Sequence, residues 1–479
     1  MKIFSRNKEN YIKLDDSIAG VSSQTINKII TAWNESGNSI LKISPDLPKS
    51  DEERLRKLLI DCVNEKGGEI SIKSKIIHLG IIYINLTDKG KRRFLRMLAF
   101  DFDIDTNLLN EKINILNSSK GENERINAEL ELSKALVPPR VKILRQLVKL
   151  PNGFLFLKDM RCDLIPLISP MPRLRKLDAD IKDLLVTYFD INLLDLKEIT
   201  WNSPAILLEK LMEYEAVHEI FSWNDLKHRL QTDRRIFAFF HYKMPNDPLI
   251  FIEIALVKGI PNNIQALLDR NIPTHDPNLA DSAIFYSISN TQKGLRGISF
   301  GNFLIKRVVK ELSAEFPKLK NFVTLSPIPK FNEWLKNLSH EKYKDLITAS
   351  ETKNLQKFSK SKQIKNILLG ILDTNWNENK NISNALQKPL MRLCAQYLIN
   401  TKKRNNIAFD PVAHFHLMNG AKIQRINWFG DTSEKGLKQS AGIMVNYYYK
   451  LNKIIVNHEN YFSEGKVSTS KEARSCLKK

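Results

Sequence analysis

No run of apolar residues in this chain approaches the roughly 18–20 that a membrane span needs. The longest candidate, Pro248 to Val257, is interrupted by Glu253 and reads as a strand. The amino-terminal stretch MKIFSRNKENYIKLDD lacks an apolar signal core, which argues against secretion and against a transit peptide. The chain ends Cys476-Leu477-Lys478-Lys479, which is not the Ser-Lys-Leu peroxisomal address. Cysteine is scarce. Cys62, Cys162, Cys394 and Cys476 are scattered without a CxxC pair, so a reduced, cytoplasmic setting is expected. A GxxxxGK[ST] loop is missing, as are a dinucleotide fingerprint, a GxSxG elbow and any internal repeat. These absences count against P-loop nucleotide chemistry, Rossmann redox chemistry, α/β-hydrolases and solenoids.

What remains is a soluble-type composition, 42% hydrophobic and 27% charged, over 479 residues, too long for one ordinary core. Lysine and arginine exceed aspartate and glutamate by 74 to 53, a net charge of +21. Such an excess attracts polyanions, but it also describes a generally basic surface. The basic residues are spread along the whole chain rather than clustered among aromatics. That pattern offers little to nucleic acid and leaves an anionic small molecule as a candidate partner.

Two textures divide the chain near residue 190. Up to there, apolar residues recur at helical spacing. Ser22 and Ser23 precede Ile26–Trp33, Ser50-Asp51-Glu52 opens Leu55–Val63, and Thr87-Asp88 caps a segment through Phe94, Leu95 and Leu98. Further amphipathic stretches run over Ile126–Leu136, Val141–Leu150 and Ile181–Phe189. These predict an all-α bundle over residues 1–190, of a kind that often serves oligomerisation. Beyond it, Ser203-Pro204 reads as a cap leading into Leu207–Tyr214. Strand-like runs follow at Arg235–Tyr242, Leu249–Val257, Ala283–Ser289 and Phe322–Leu325, with Asn246-Asp247-Pro248 as a hairpin turn. A helix over Phe303–Phe316 separates the last two. The fold class is α+β: a helical bundle, then a mixed α/β catalytic domain over 191–479. Lys353–Lys365 reads as a solvated helix face.

Three segments can carry chemistry. The strand at 285–289 runs into Gln292-Lys293-Gly294-Leu295-Arg296-Gly297-Ile298-Ser299-Phe300-Gly301-Asn302, with a helix close behind. A strand, a glycine loop and a helix start present free N–H groups to a pyrophosphate, and Lys293, Arg296 and Lys306 could add charge. The same residues also make a tight turn. Thr324-Leu325-Ser326-Pro327-Ile328-Pro329 ends a strand, where Ser326 is placed either to meet a bound acyl thioester or to cap a turn. In Asp410-Pro411-Val412-Ala413-His414-Phe415-His416-Leu417-Met418-Asn419-Gly420, the two histidines would share one face of a strand. They could be metal ligands, without an obvious third partner, or structural residues.

Taken in order, AIFYSIS (283–289), GNFLIKRVVKEL (301–312), TLSPIP (324–329), FDPVAHFHLMNGA (409–421), RINW (425–428) and GIMVNYYY (442–449) are similar to the malonyl-CoA decarboxylase family. Weaker similarity extends through ITWNSP (199–204) and EAVH (215–218), so residues 190–461 are well covered. No single motif suffices, but the ordered set is specific. The resemblance implies a GNAT-like catalytic domain after the helical one, assembled as a homo-oligomer, a tetramer. It implies conversion of malonyl-CoA to acetyl-CoA and carbon dioxide, a step in fatty acid metabolism. It assigns the catalytic serine to Ser326, the histidine to His416 rather than His414, and a nearby tyrosine to Tyr449. Malonyl-CoA is contacted by Ser326, His416 and the loop Arg296, Gly297, Ile298, Ser299, Phe300, Gly301 and Asn302. Animal members carry a glutamate, held to assist the histidine, where this chain has Ser299. Either another acid supports His416 here or that glutamate is dispensable.

The chemistry needs neither metal nor organic cofactor, because the thioester carbonyl itself accepts the electrons released with carbon dioxide. The protein must hold the carboxylate out of the thioester plane, stabilise the enolate and supply a proton. The basic excess suits the phosphates of coenzyme A. Three competing readings remain at this point: an acyltransferase to an amine, a nucleic-acid binder, and a malonyl-CoA sensor without turnover. No nucleic-acid or membrane partner is expected.

Overall fold

The computed structural model describes residues 42–187, 194–298, 304–403 and 405–478. The expected helix at 26–33 therefore lies outside the described residues, as do Ser299, Phe300, Gly301 and Asn302. The chain divides into two compact units. One comprises residues 1–193 with 292–298, the other 194–291 with 299–479.

The first unit is helical: α1 (Lys49–Val63), α2 (Glu69–Ile84), α3 (Asp88–Phe100), α4 (Thr106–Ser118), α5 (Glu122–Ala135), α6 (Pro139–Lys149), α7 (Gly153–Leu164) and α8 (Leu174–Val186). The Thr87 hydroxyl accepts from Gly90 N and satisfies one of the free N–H groups that start α3. Phe94, Leu95 and Leu98 then turn inward, and the intervening lysines and arginines stay at the surface or half-buried. Helix α7 is buried on nearly every side, charges included. Arg161 is 4% exposed and pairs with Asp178 at 2.7 Å, as a buried guanidinium requires. By contrast α4 buries no residue and α5 only Ala128, so this hairpin leaves Ile115, Ile126 and Leu130 exposed.

Residues 292–298 belong to this helical unit. A single 3-10 turn, Lys293–Leu295, lies against α7. Arg161 Nη1 donates to the carbonyls of Gly294 (2.8 Å) and Arg296 (2.9 Å). A Cβ at Gly294 would stand 2.0 Å from the Lys158 carbonyl oxygen, so only glycine permits this approach.

The second unit is built on a seven-stranded sheet of order β1-β2-β3-β4-β5-β7-β6. Its strands are β1 (Leu194–Ile199), β2 (Arg234–His241), β3 (Met244–Val257), β4 (Ser282–Asn290), β5 (Asn321–Thr324), β6 (Lys422–Asn427) and β7 (Met444–Tyr448). Only β4 and β5 are parallel neighbours, joined through α12 (Leu304–Glu315). They pair from Ser282↔Asn321 to Phe285↔Thr324. Past the last bond, Leu325 N to Phe285 O, β5's chain crosses to bridge β7 at Ser326↔Val445, and β4 continues on β3. Ser326 thus stands where the two strands part.

Three local readings are corrected. The β2–β3 hairpin turns at Tyr242-Lys243, because His241 pairs with Met244. Asn246-Asp247-Pro248 lies inside β3, where Phe240 pairs with Pro248 across a bulge that absorbs the proline. Helix α9 (Ala205–Tyr214) is capped at Pro204, while the Ser203 hydroxyl accepts from Thr200 N instead. Lys353–Lys365 is not one helix face: it spans the end of α15 (Ala349–Gln356), a connection and the start of α16 (Ile364–Leu372). No helix among the described residues is long and apolar enough to cross a membrane.

The sheet's two faces carry different helices. Helix α9 and α10 (Trp223–Arg229) pack Leu208, Leu211 and Leu226 on Ala238, Phe240 and Phe251. On the same face, α11 (Ile264–Leu267) covers Ala255, Val323, Leu325 and Met444. Strand alternation sends Thr324, Ser326, Tyr447 and Tyr449 to the other face, toward α18 (Pro411–Met418).

Candidate active site

Helix α18 is why His416 is where it is. Asp410 accepts from Val412 N (2.9 Å) and Ala413 N (3.0 Å), and Pro411 takes the first helical position, where its missing N–H costs nothing. Burial holds the Asp410 carboxyl above its ordinary range, and Tyr397 donates to its other oxygen at 3.0 Å. The helix stops at Gly420, whose φ is +79° and whose added Cβ would meet the Ile454 carbonyl oxygen at 2.1 Å.

The sequence reading put His414 and His416 on one strand face. They lie instead on a helix, about 200° apart around its axis. His416 is 3% exposed and reaches Ser326. His414 faces α20 (Ile454–Glu464), its Nδ1 2.9 Å from the Tyr461 hydroxyl. The helix separates them, so they do not form a ligand pair. No cluster of three or more metal-binding side chains occurs among the described residues.

Around His416 the polar groups form a line. Its Nε2 is 3.0 Å from Ser326 Oγ, and its Nδ1 is 2.7 Å from the Tyr449 hydroxyl. Ser326 Oγ donates to Thr324 Oγ1 at 2.8 Å, and Thr324 Oγ1 also accepts from Tyr447 N at 3.1 Å. The imidazole stacks on Tyr447, with centroids 4.5 Å apart and planes 25° apart, so its plane is fixed as well as its ends. Phe285 stands edge-on to Tyr449. All of these groups are buried.

Among the described residues, no charged side chain is hydrogen-bonded to the line. Burial alone pushes His416 down to about 3, so the imidazole is neutral near neutral pH. Burial also holds the Tyr449 phenol well above its ordinary value, so it stays protonated. The Nδ1 partner of His416 is thus a phenol rather than a carboxylate, while Ser299 lies outside the described residues. Such a line can hold a proton beside a reacting carbon and hydrogen-bond a carboxylate or an enolate oxygen. Of the other expected site residues, Arg296, Gly297 and Ile298 belong to the helical unit, and Ser299 through Asn302 are not described.

The opposite face buries charge. Glu215 accepts from Val217 N (2.8 Å), His218 N (2.7 Å), Ser287 Oγ and Ser289 Oγ (3.0 Å). Arg229 reaches Glu253 at 3.0 Å and Asp225 at 3.4 Å. Desolvation drives Glu253 above the carboxylate range, with the Arg229 guanidinium pulling the other way. A cavity of about 720 Å³, lined by His218, Asp225, Arg229 and Asp431 among others, opens on this side. Sequence reasoning missed Thr324 and Glu215 as structural partners, although both lie in segments that carried the resemblance, TLSPIP and EAVH.

Comparison with known proteins decides the family. Residues 192–479 match the malonyl-CoA decarboxylase C-terminal domain, and residues 102–189 match the N-terminal domain of the same enzymes. The chain belongs to the malonyl-CoA decarboxylase family, a family of carboxy-lyases. The mitochondrial malonyl-CoA decarboxylase of Rattus norvegicus is 38% identical over 412 residues, 82% of this chain and 83% of the rat protein. That of Anser anser anser is 35% identical over the same share of this chain. The crystal structure of malonyl-CoA decarboxylase from Rhodopseudomonas palustris superposes with a TM-score of 0.79 at 38% identity, covering 88% of this chain and 99% of that one. The Agrobacterium vitis enzyme gives 0.76 at 37% identity, covering 89% and 100%. An amino-terminal helical region followed by a mixed-sheet domain is therefore the family's architecture.

Proposed function

We propose that this protein decarboxylates malonyl-CoA to acetyl-CoA, with Ser326, His416 and Tyr449 as the groups that manage the proton. The observation that carries the reading is the buried, charge-free line Tyr449–His416–Ser326 at the point where β4 and β5 part.

The C–C bond to the carboxylate breaks, and its electrons move into the thioester carbonyl to give an enolate. The α-carbon then takes a proton. No metal or organic cofactor is required for this, since the thioester is the electron sink. The substrate carboxylate brings a negative charge to His416, which has no ionic partner among the described residues. A charge there favours the imidazolium and raises its pKa, so substrate binding recruits the proton that the reaction consumes. When carbon dioxide leaves, the negative charge passes to the enolate, and His416 is the general acid that quenches it. Ser326 hydrogen-bonds the imidazole through its oxygen, and Tyr449 orients the ring through Nδ1. The loop 296–302 anchors the coenzyme A phosphates. The GNAT-like sheet domain supplies the acyl-CoA scaffold, the helical domain assembles the homo-oligomer, and the four free cysteines fit a reducing, cytoplasmic setting.

The test is to incubate the purified protein with malonyl-CoA, without an acyl acceptor, and follow acetyl-CoA by mass spectrometry beside Ser326→Ala and His416→Ala. Acetyl-CoA from the parent and little from either variant supports the reading. Binding without turnover makes the protein a sensor, and neither binding nor turnover rejects the assignment.

A further inference from the structure

Four hydroxyl and imidazole groups in a row can be protonated in either of two directions. In one, Ser326 gives its proton to His416, as in a serine nucleophile activated by a general base. In the other, His416 gives its Nε2 proton to Ser326. The choice is made at Thr324, a residue that touches neither His416 nor Tyr449 through a hydrogen bond.

The Thr324 side chain is fully buried at the end of β5. Its Oγ1 receives two donors: the backbone N–H of Tyr447, which can only donate, and the Ser326 hydroxyl. The single Ser326 proton is thereby committed to Thr324, 2.8 Å away. Ser326 Oγ then faces His416 Nε2 at 3.0 Å with lone pairs only, so the shared proton must sit on Nε2. A neutral imidazole protonated on Nε2 has a bare Nδ1, and the Tyr449 hydroxyl 2.7 Å away fills it as a donor. From Tyr449 to Ser326 each donor in the line then has one acceptor, and the one proton outside the sequence is the Thr324 hydroxyl's own.

We infer that Thr324 is the positioning residue that sets the polarity of the line: by holding the Ser326 proton, it fixes His416 as the Nε2–H tautomer and keeps Ser326 from serving as a nucleophile. This rests on the functional reading above for its catalytic consequence, though not for its geometry. The consequence is selectivity of reaction. A serine whose proton is turned away from the histidine does not form an acyl-enzyme, while an Nε2–H aimed at the site is poised to serve an enolate.

The experiment is ¹⁵N NMR of histidine-labelled protein without substrate, with the His416 signals assigned by their loss in His416→Ala. The parent should show protonated Nε2 and bare Nδ1. Thr324→Val keeps the shape but removes the acceptor, so Ser326 should turn to Nε2 and the signals should switch to the Nδ1–H pattern. Turnover of malonyl-CoA should fall at least about ten-fold in kcat with KM within about two-fold. Thr324→Ser restores the acceptor and should return both the tautomer and most of kcat, which a merely structural role would not require. A parent with Nδ1–H, or a Thr324→Val protein whose tautomer or kcat is unchanged, overturns the inference. A parent that shows Nε2–H yet produces no acetyl-CoA leaves the tautomer standing and rejects the functional reading instead.

Discussion

On one face of the sheet, Thr324, Ser326, His416 and Tyr449 are buried together without a formal charge. On the other, Glu215, Arg229 and Glu253 are buried as ionisable groups, and each is held by hydrogen bonds or a salt bridge. The neutral line gives each of its heavy polar atoms a partner, whereas the other face leaves Glu253 Oε1 without one. They differ in what they leave adjustable. The cluster of ionisable groups is locked: four donors surround Glu215, and Arg229 is shared between Asp225 and Glu253. The neutral line has protons that can shift when a charge arrives, because neutral hydrogen bonds rather than an ion pair hold them. Chemistry that begins and ends with a change of charge belongs on the second kind of surface.

The largest break in that contrast should come from the locked side, as lost stability. Arg229→Met leaves Glu253, fully buried, without its guanidinium, and should cost about 3–5 kcal/mol in denaturant unfolding. Its effect on the chemistry should follow only from unfolding.

Acid should act on the neutral side. His416 sits at about 3 in the folded protein against an ordinary value near 6.5, so between those limits the unfolded chain binds a proton that the folded one refuses. Stability is therefore fully present above about pH 6.5 and is lost as pH falls, by about 2 kcal/mol at pH 5 from this residue. Unfolding of the parent and His416→Asn at pH 7 and pH 5 checks this; parallel losses would reject it. His218, pushed down to about 4 chiefly by burial, adds a loss of the same sign and nearly the same size that both proteins share.

Tyr449→Phe keeps the ring against Phe285 and removes only the donor to Nδ1. It should lower kcat about ten-fold, with a stability change of about 1 kcal/mol. A rise in KM larger than the fall in kcat would mean that the phenol touches substrate instead.

Much of this was legible in the sequence. Thr87 announced α3, the apolar period announced the helical unit, and β2 to β5 fell within a few residues of their expected runs. The ordered motifs singled out Ser326, His416 and Tyr449, which the fold places in one hydrogen-bonded line. What escaped is what only tertiary structure decides. VAHFHLM is too short an apolar run to distinguish a helix from a strand, and Asp410 with Pro411 settled it as a helix. The hairpin turned at Tyr242-Lys243 because β3 tolerates Pro248 at a bulge. The grouping of residues 292–298 with the helical unit depends on Arg161, more than a hundred residues away in the chain. Thr324 looked like the end of a strand, and its role lies in which way one hydroxyl points.

The most direct test of the whole account uses the two histidines of α18, which share a helix and are both at least half-buried. Purified His416→Ala and His414→Ala should be compared with the parent for acetyl-CoA formed from saturating malonyl-CoA. His416→Ala should lose about 100-fold or more in turnover, and His414→Ala, which breaks only the contact to Tyr461, should stay within about two- to three-fold. Equal losses in both, or an unimpaired His416→Ala, would contradict the claim that the neutral line of Ser326, His416 and Tyr449 is where the reaction takes place.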